Sequence, residues 1–232
     1  MPQPPGLQTW DSLESVSNDV LACTLCRLAE TRTQAVPGEG SGTAAVMFIG
    51  EGPGFNEDQQ GRPFVGRAGK LLDDLLGSVP MRREDVFITN VVKCRPPDNR
   101  DPLPDEVDAC GDYLRAQIEL LNPRVIATLG RHSLMRFVPD ARISRDHGTI
   151  KRWQGRVIYP LYHPAAALRS TQVMQATVED FKRLPEAIRA ALTSIGPAAP
   201  DERGPLPEDQ PVPSAEIEDS EDQDDRQQLS MF

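Results

Sequence analysis

The sequence predicts an α/β protein in which a central sheet of four parallel strands lies between two layers of helices, a three-layer α/β/α sandwich. Short apolar segments alternate with segments of helical periodicity through most of the chain. The apolar segments contain few polar residues, which is typical of strands buried on both faces of a parallel sheet. Ligands of such sheets bind at the carboxyl ends of the strands, so the residues that follow each strand are candidates for a site.

Four strands and five helices account for this alternation. The strands are predicted over Ala45–Gly50, Val86–Val92, Arg124–Gly130 and Arg156–Leu161. The helices are predicted near Trp10–Ala29, Ala68–Leu76, Pro104–Leu121, Arg131–Phe137 and Gln172–Leu192. The strand segments are short and apolar, and the first is β-branched and aromatic in character. The third helix begins with proline and two acidic residues, Asp105 and Glu106, which complement the helix dipole in the first turn.

Composition divides the chain into one domain over residues 1–194 and an acidic tail over residues 195–232. Asp201–Arg226 contains eleven acidic and two basic residues, so a charge of −9 out of the net −10 lies there. The tail is also poor in apolar residues and rich in proline, glutamine and serine, which predicts disorder over about 195–226. The domain itself is nearly neutral, so the acidic net charge does not exclude a local basic face that binds nucleic acid.

The sequence contains no sign of a membrane protein or an exported one. No run of about 18 apolar residues occurs, and Met1–Gly6 resembles neither a signal peptide nor a transit peptide. We therefore expect a cytoplasmic protein, active as a monomer, with no membrane partner.

A glycine-rich segment, GEGPGFNEDQQGRPFVGRAG, directly follows the first predicted strand at Gly50–Gly69. A glycine-rich turn between a strand and a helix often cradles a phosphate. Here, however, Glu51, Glu57 and Asp58 lie in the turn and would repel a phosphate. The segment therefore predicts a site that needs both backbone approach and carboxylates.

Three polar residues stand at the ends of predicted strands, and a parallel sheet would bring them to one edge. Glu51 follows the first strand, Asn90 lies in the second, and His163 follows the fourth. Each alone has an ordinary explanation, as a solvated turn residue, a loop-bonding amide or a strand-end histidine. Together they supply acceptor and donor groups that can read a polar ring and assist bond cleavage.

The four cysteines form a second constellation: Cys23, Cys26, Cys94 and Cys110. Disulfides are not expected in a cytoplasmic protein. Four thiolates suit either a structural zinc ion or a 4Fe–4S cluster, and the spacing alone does not choose between them. A redox-active CxxC is a weaker alternative. Any bound metal would fix the loop just after Asn90 and couple folding to metal binding.

Three segments in the same order, together with the cysteines, resemble family 4 uracil-DNA glycosylases. They are GEGPGFNEDQQGRPFVGRAGKLL from Gly50, TNVVKCRPPDNRDP from Thr89 and YHPAAALR from Tyr162. The resemblance spans roughly residues 10–190. It implies a hydrolase of base excision repair that removes uracil from DNA, with one 4Fe–4S cluster on the four cysteines. It also implies uracil-containing DNA as partner and a cytoplasmic location at the bacterial nucleoid.

The resemblance assigns roles to six residues of the site. It implies that Glu51 stabilises the sugar cation and orients water, and that His163 hydrogen-bonds the developing oxyanion of uracil. Gly52 shares the loop of Glu51. In the base pocket, Phe64 stacks on uracil, Asn90 reads the base edge, and Glu57 lies near the position where the methyl group of thymine is excluded.

The resemblance also implies contacts with DNA. Leu168 matches a wedge that enters the minor groove, although an ordinary helix start explains it equally well. Basic residues around the same loops are candidates for phosphate contacts. They are Arg62, Arg67, Lys93, Arg95, Arg100 and Arg169. Phe55 and Asn56 depart from the acidic or small residues of many family members.

The loop after the second motif, RPPDNRDPLP, contains no histidine. Related enzymes that trap uracil-DNA covalently carry a histidine in an inserted loop at this position. We therefore expect turnover rather than a covalent product.

The last five residues, QLSMF at Gln228–Phe232, resemble the bacterial sliding-clamp-binding motif. The acidic tail would then be a flexible tether to replicated DNA. A chance match of five residues is the alternative.

Two other classes of function stay open from the sequence. One is a module that binds single strands or a polymerase and excises little. The other is a zinc-stapled nucleotide-binding domain without a role on DNA.

Overall fold

The structure is a computed structural model that describes residues 9–194. The predicted boundary between domain and tail stays a prediction. The acidic tail over residues 195–232 and its clamp-like motif at Gln228–Phe232 lie outside the described residues.

Residues 9–194 form one sheet of six strands. The strands are β1 (Glu39–Gly40), β2 (Val46–Gly50), β3 (Phe87–Asn90), β4 (Val125–Leu129), β5 (Lys151–Trp153) and β6 (Arg156–Leu161). Their order across the sheet is β1-β3-β2-β4-β6-β5. The four inner strands are parallel, which confirms the predicted parallel sheet as its centre. The sequence prediction omitted β1 and β5, which pair antiparallel at the two edges.

Nine α-helices surround this sheet in the described part of the chain. They are α1 (Leu13–Ala22), α2 (Leu28–Thr31), α3 (Phe55–Gln60), α4 (Arg67–Gly77), α5 (Pro104–Leu121), α6 (Arg131–Met135), α7 (Ile143–Asp146), α8 (Pro164–Ala167) and α9 (Thr171–Ser194). The single helix predicted near Trp10–Ala29 is wrong. The backbone becomes extended at Cys23, and a turn that carries Cys23 and Cys26 separates α1 from α2.

The side chains of β2 show why the sheet is covered on both faces. All five residues of the strand are buried. Met47 and Ile49 belong to the apolar cluster that contains residues of α1 and α5. Val46 and Phe48 point to the opposite face, where residues of α4 and α9 pack. Since neighbouring side chains of a strand point to opposite faces, both layers of the predicted sandwich are present.

The carboxyl ends of the four parallel strands lie side by side. Gly50 at the end of β2 is in register with Asn90 at the end of β3. Gly130, just after β4, donates its N–H to Leu161 at the end of β6 over 2.8 Å. The segments that follow the strands therefore share one edge of the sheet.

No helix among residues 9–194 has the length and apolar character needed to cross a bilayer.

Candidate active site

Glu51 is the first residue after β2, and its backbone is fixed by the neighbouring chain. Val91 and Val92 donate to the carbonyls of Gly50 and Glu51 over 2.9 and 3.0 Å, so strand pairing continues beyond β3. The side chain of Glu51 keeps 29% exposure. Burial raises the pKa of the Glu51 carboxyl, and the nearby His132 acts in the opposite direction. A half-buried carboxylate at a strand end is suited to act on a cation or on water.

Asn90 is 1% exposed at the end of β3. Its Oδ1 has no hydrogen-bond partner within the part of the chain that the structure describes. An unpaired buried oxygen of this kind costs about 1–3 kcal/mol. Gly50 permits this position, because a Cβ there would overlap Asn90 Oδ1 and lie 2.5 Å from Cζ of Phe64. The amide oxygen is thus available to an N–H donor of a bound molecule.

Phe64 is buried beside Gly50 in a left-handed backbone conformation, with φ of 51°. Its ring is tilted against that of His163, with centroids 5.7 Å apart. Glycine is required at position 69 of α4, since a Cβ there would overlap the Phe64 carbonyl. An aromatic ring, an unpaired amide oxygen and an imidazole therefore meet at one place.

Glu57 holds the loop of Phe64 in shape. Its Oε1 accepts hydrogen bonds from the backbone N–H groups of Val65 and Gly66, each over 2.8 Å. Arg83 supports the same loop by donating to the carbonyls of Phe64 and Pro63. The sequence did not indicate this role for Glu57, and its contact with a base stays a prediction.

His163 caps the short helix α8, because its Nδ1 accepts the N–H of Ala165 over 3.1 Å. Burial lowers the pKa of His163 to about 4, with Arg169 and His132 adding to the effect and Glu57 opposing it. The ring is therefore neutral at physiological pH. Since Nδ1 accepts a hydrogen bond, the proton lies on Nε2, which is left as a donor.

A fourth group at this edge was missed by the sequence analysis. His132 in α6 places its Nε2 3.9 Å from Glu51 Oε2 and 3.3 Å from Asp101 Oδ2. Arg131 donates to Asp101 over 3.1 Å and to His132 over 3.0 Å. His132 follows the end of β4 as Glu51 and His163 follow the ends of their strands, so its place in the sequence was a signal for this group.

The ligand-type atoms of Glu51, Asp101 and His132 lie within 4.8 Å of one another. Such a group can hold a cation. Here the guanidinium of Arg131 already contacts two of the three side chains. It supplies positive charge at this place, and we assign no metal ion to the group.

The four cysteines come from the turn after α1, the loop after β3 and helix α5. Cys23 and Cys26 are partly exposed in the turn after α1, whereas Cys94 and Cys110 are buried. All four border the same apolar cluster. Burial raises the pKa of Cys110 to about 12 and also raises the pKa of Cys94. Without a metal these two thiols would be protonated and uncharged.

N–H groups surround these sulfurs. Lys93 donates its backbone N–H to Cys110 over 3.3 Å, and Arg32 donates to Cys94 over 2.9 Å. Hydrogen bonds of this kind are a means by which proteins tune metal–sulfur clusters.

The predicted phosphate contact of Lys93 is wrong, because this lysine is 1% exposed. Its ammonium donates to Thr89 Oγ1, the Asn90 carbonyl and Gln117 Oε1 over 2.7, 2.8 and 2.6 Å. The side chain turns inward because three acceptors there compensate for the lost hydration. Lys93 therefore supports the backbone of Asn90 from inside the domain.

The other predicted DNA contacts lie in varied environments. Leu168 is 39% exposed after α8, and Arg169 next to it is exposed. Arg95 lies over the ring of Phe55 at 5.2 Å, and Phe55 is itself 56% exposed. Two further candidates are ion-paired: Arg62 with Glu39, and Arg100 with Glu106.

Comparison with known proteins gives a consistent result. Residues 37–187 match the model of the uracil DNA glycosylase superfamily. The chain is 46% identical over 186 residues to the type-4 uracil-DNA glycosylase of Sulfurisphaera tokodaii, covering 76% of this chain and 84% of the relative. It is 44% identical over 185 residues to the type-4 enzyme of Archaeoglobus fulgidus, covering 76% and 93%. Identity to the type-5 uracil-DNA glycosylase of Thermus thermophilus is 32% over 217 residues, covering 77% and 98%.

Proposed function

Since the chain belongs to the uracil-DNA glycosylase superfamily, and is most similar to the type-4 enzymes among the relatives described above, we propose how its site excises uracil. The protein is a uracil-DNA glycosylase of DNA repair. It hydrolyses the N-glycosidic bond and leaves an abasic site. The target nucleotide must first leave the base stack, because its glycosidic bond is shielded within the duplex.

The observation that carries this proposal is the unpaired Asn90 Oδ1, buried beside Phe64 and His163. In uracil N3 carries a hydrogen that this oxygen can accept, whereas N3 of cytosine is itself an acceptor. Binding of uracil would thus satisfy a buried oxygen, and binding of cytosine would leave two acceptors facing each other. The Phe64 ring offers an apolar surface for the flat base.

His163 stabilises the leaving group. When the glycosidic bond breaks, negative charge develops on the uracil oxygens and positive charge on the sugar. The Nε2–H of His163 is the donor for that oxyanion, because Nδ1 is occupied by Ala165 N–H. A neutral, half-buried donor of this kind is worth about 3 kcal/mol of barrier and gives up no proton at physiological pH.

Glu51 acts on the other half of the transition state. Its ionised carboxylate stabilises the sugar cation and orients the water that attacks the anomeric carbon. This water loses one proton to the Glu51 carboxylate as the new C–O bond forms. The uracil anion leaves with the electrons of the broken C–N bond and takes up a proton from solvent. Gly52, next to Glu51, allows the backbone of this loop to lie against the side chain of Val92, because a Cβ at position 52 would lie 2.8 Å from Val92.

An excision assay tests the function. A labelled oligonucleotide with one uracil is incubated with the protein and then cleaved at abasic sites with alkali. We expect product with the wild type and at least about 100-fold less with Asn90→Leu, which keeps a similar shape but removes the acceptor oxygen. Thr128→Val is the control, because Thr128 also carries a buried unpaired oxygen but lies within β4. Single-strand binding without excision by the wild type would favour the non-catalytic alternative.

We infer that Cys23, Cys26, Cys94 and Cys110 hold one 4Fe–4S cluster. The all-thiol donor set and the N–H groups around the sulfurs support this cofactor. When bound to these cysteines, the cluster would cross-link the turn after α1, the loop after β3 and helix α5. This cross-link would hold Asn90 in place, because Asn90 lies only four residues before Cys94.

Metal content tests this inference. Anaerobically purified protein is expected to be brown and to contain about four iron atoms per chain. Cys94→Ser should lose iron and folded yield together, because metal binding and folding are coupled. One zinc and no iron would contradict the cluster.

Leu168, Arg169 and Arg95 are the proposed DNA contacts. Leu168 would enter the minor groove, and the two arginines would neutralise phosphates. Each lost phosphate contact lowers the salt slope of log K by about one on duplex DNA. Leu168→Ala should instead weaken excision from duplex more than from single strands, because wedging is needed only in duplex.

The amino-acid sequence of the tail motif at Gln228–Phe232 indicates a further binding partner. We propose that it binds the bacterial sliding clamp and places a monomeric enzyme at the nucleoid. Titration of the labelled tail peptide against the clamp tests this, with Leu229→Ala and Phe232→Ala as controls. Micromolar binding that both substitutions abolish is expected. Absence of binding would leave the motif a chance match.

A further inference from the structure

The end of β4 supplies groups that the reaction described above does not use. His132, in α6 directly after the strand, lies 3.9 Å from Glu51 and 3.3 Å from Asp101 through one ring nitrogen. The three residues come from three different strand ends or loops. Their side chains are partly exposed, at 30%, 29% and 54% for His132, Glu51 and Asp101.

We propose that His132 and Asp101 are positioning residues for Glu51. Asp101, with Arg131, fixes the imidazole of His132 against the carboxylate of Glu51, and His132 in turn keeps that carboxylate ionised and oriented for attack. The inference deepens the role of Glu51 and rests on the proposed function. His132 itself does not touch the substrate in this account.

The physical need for such a partner follows from the position of Glu51. Its carboxylate works only when ionised, yet burial raises the pKa of the Glu51 carboxyl and the Asp101 charge raises it further. The two groups that lower the pKa of Glu51 are His132 and Arg131, both from α6. His132, which lies between the two carboxylates, therefore opposes the effect of Asp101 on the pKa of Glu51.

The geometry also explains why His132 stays in place. Arg131 and Asp101 are joined over 3.1 Å, and the hydrogen bond with His132 contributes most to lowering the pKa of Asp101 to about 2. Asp101 is therefore ionised throughout the working range of the enzyme. The separation of 3.9 Å between His132 Nε2 and Glu51 Oε2 is too long for direct proton transfer, so we assign His132 an electrostatic role.

His132→Gln tests this role, because glutamine keeps polarity and similar size but lacks the imidazole ring. The readout is the pH profile of kcat/KM on the uracil oligonucleotide. His132 lowers the pKa of the Glu51 carboxyl, so its removal should raise that pKa and move the acidic limb of the profile to higher pH. An interaction of about 1 kcal/mol, the value for a full charge at about 4 Å in water, corresponds to about 1 unit of pKa and sets the upper limit of the expected change.

Two further variants make the test decisive. His147→Gln removes a comparable imidazole–carboxylate pair, 2.7 Å to Asp180. His147 is not among the groups that shift the pKa of Glu51, so this variant should leave the limb unchanged. In a Glu51→Gln background, His132→Gln should cause no additional loss of residual activity, because its effect passes through Glu51.

An unchanged acidic limb in His132→Gln would overturn the proposal. So would an equal loss in both backgrounds, which would indicate that His132 contacts DNA or serves only the fold. A wild type without uracil excision would instead refute the proposed function, so the two failures are distinguishable.

Discussion

Substitution of Glu57 tests how the loop of Phe64 is held, because the structure gives Glu57 a role different from the one that the family resemblance implies. One oxygen of its carboxylate accepts the N–H groups of Val65 and Gly66, both at 2.8 Å. These bonds hold the loop in which Phe64 adopts φ of 51°. Glu57→Ala removes both bonds and leaves that loop with the weaker support of the hydrogen bonds from Arg83.

The magnitude follows from the two bonds. Hydrogen bonds to a charged acceptor contribute about 1.5–3 kcal/mol each. Because Glu57, Val65 and Gly66 are only partly buried, we take the lower end, a loss of about 3 kcal/mol in the free energy of unfolding. Glu57→Gln keeps an acceptor oxygen in place and should lose about 1 kcal/mol, the difference between a charged and a neutral bond.

The assay combines chemical denaturation with excision kinetics. We expect Glu57→Ala to lower stability and raise KM for uracil, since the Phe64 ring is no longer held, and Glu57→Gln to retain most of both. Discrimination between uracil and thymine should change little in Glu57→Gln. If instead both variants keep full stability and begin to excise thymine, Glu57 faces the base and the loop-shaping role is refuted.

Three further predictions concern other residues of the site. Gly50→Ala should lower kcat/KM at least about 100-fold and stability by about 1–3 kcal/mol, because its Cβ would displace Asn90 and Phe64; activity and thermal unfolding measure both. His163→Ala should lower kcat about 100–1000-fold. The acidic limb of the pH profile should not move, because the pKa of His163 is already lowered to about 4. A limb that moves would contradict this assignment. Lys93→Met should destabilise the protein by about 2–4 kcal/mol, because three buried acceptors lose their donor. It should leave the salt dependence of DNA binding unchanged, since Lys93 is buried, and a reduced salt slope would restore it as a phosphate contact.

The sequence by itself determined the layers and the edge on which the site is built. Apolar runs such as Val46–Gly50 must be buried on both faces, and parallel strands place their carboxyl ends together. This is why Glu51, Asn90 and His163 were found without coordinates. The edge strands β1 and β5 escaped prediction because two or three residues carry too little periodicity to be recognised.

Only the tertiary structure decided which way polar side chains turn and what they bind. Lys93 looked like a surface cation, but three acceptors from β3 and α5 draw it inward. His132 lies next to Glu51 although 81 positions separate them in the chain. A local pattern records where a strand or helix ends. It does not record which charges and hydrogen-bonding groups the fold brings opposite that end, and those groups set the direction of a buried side chain because an unpaired charge there is costly.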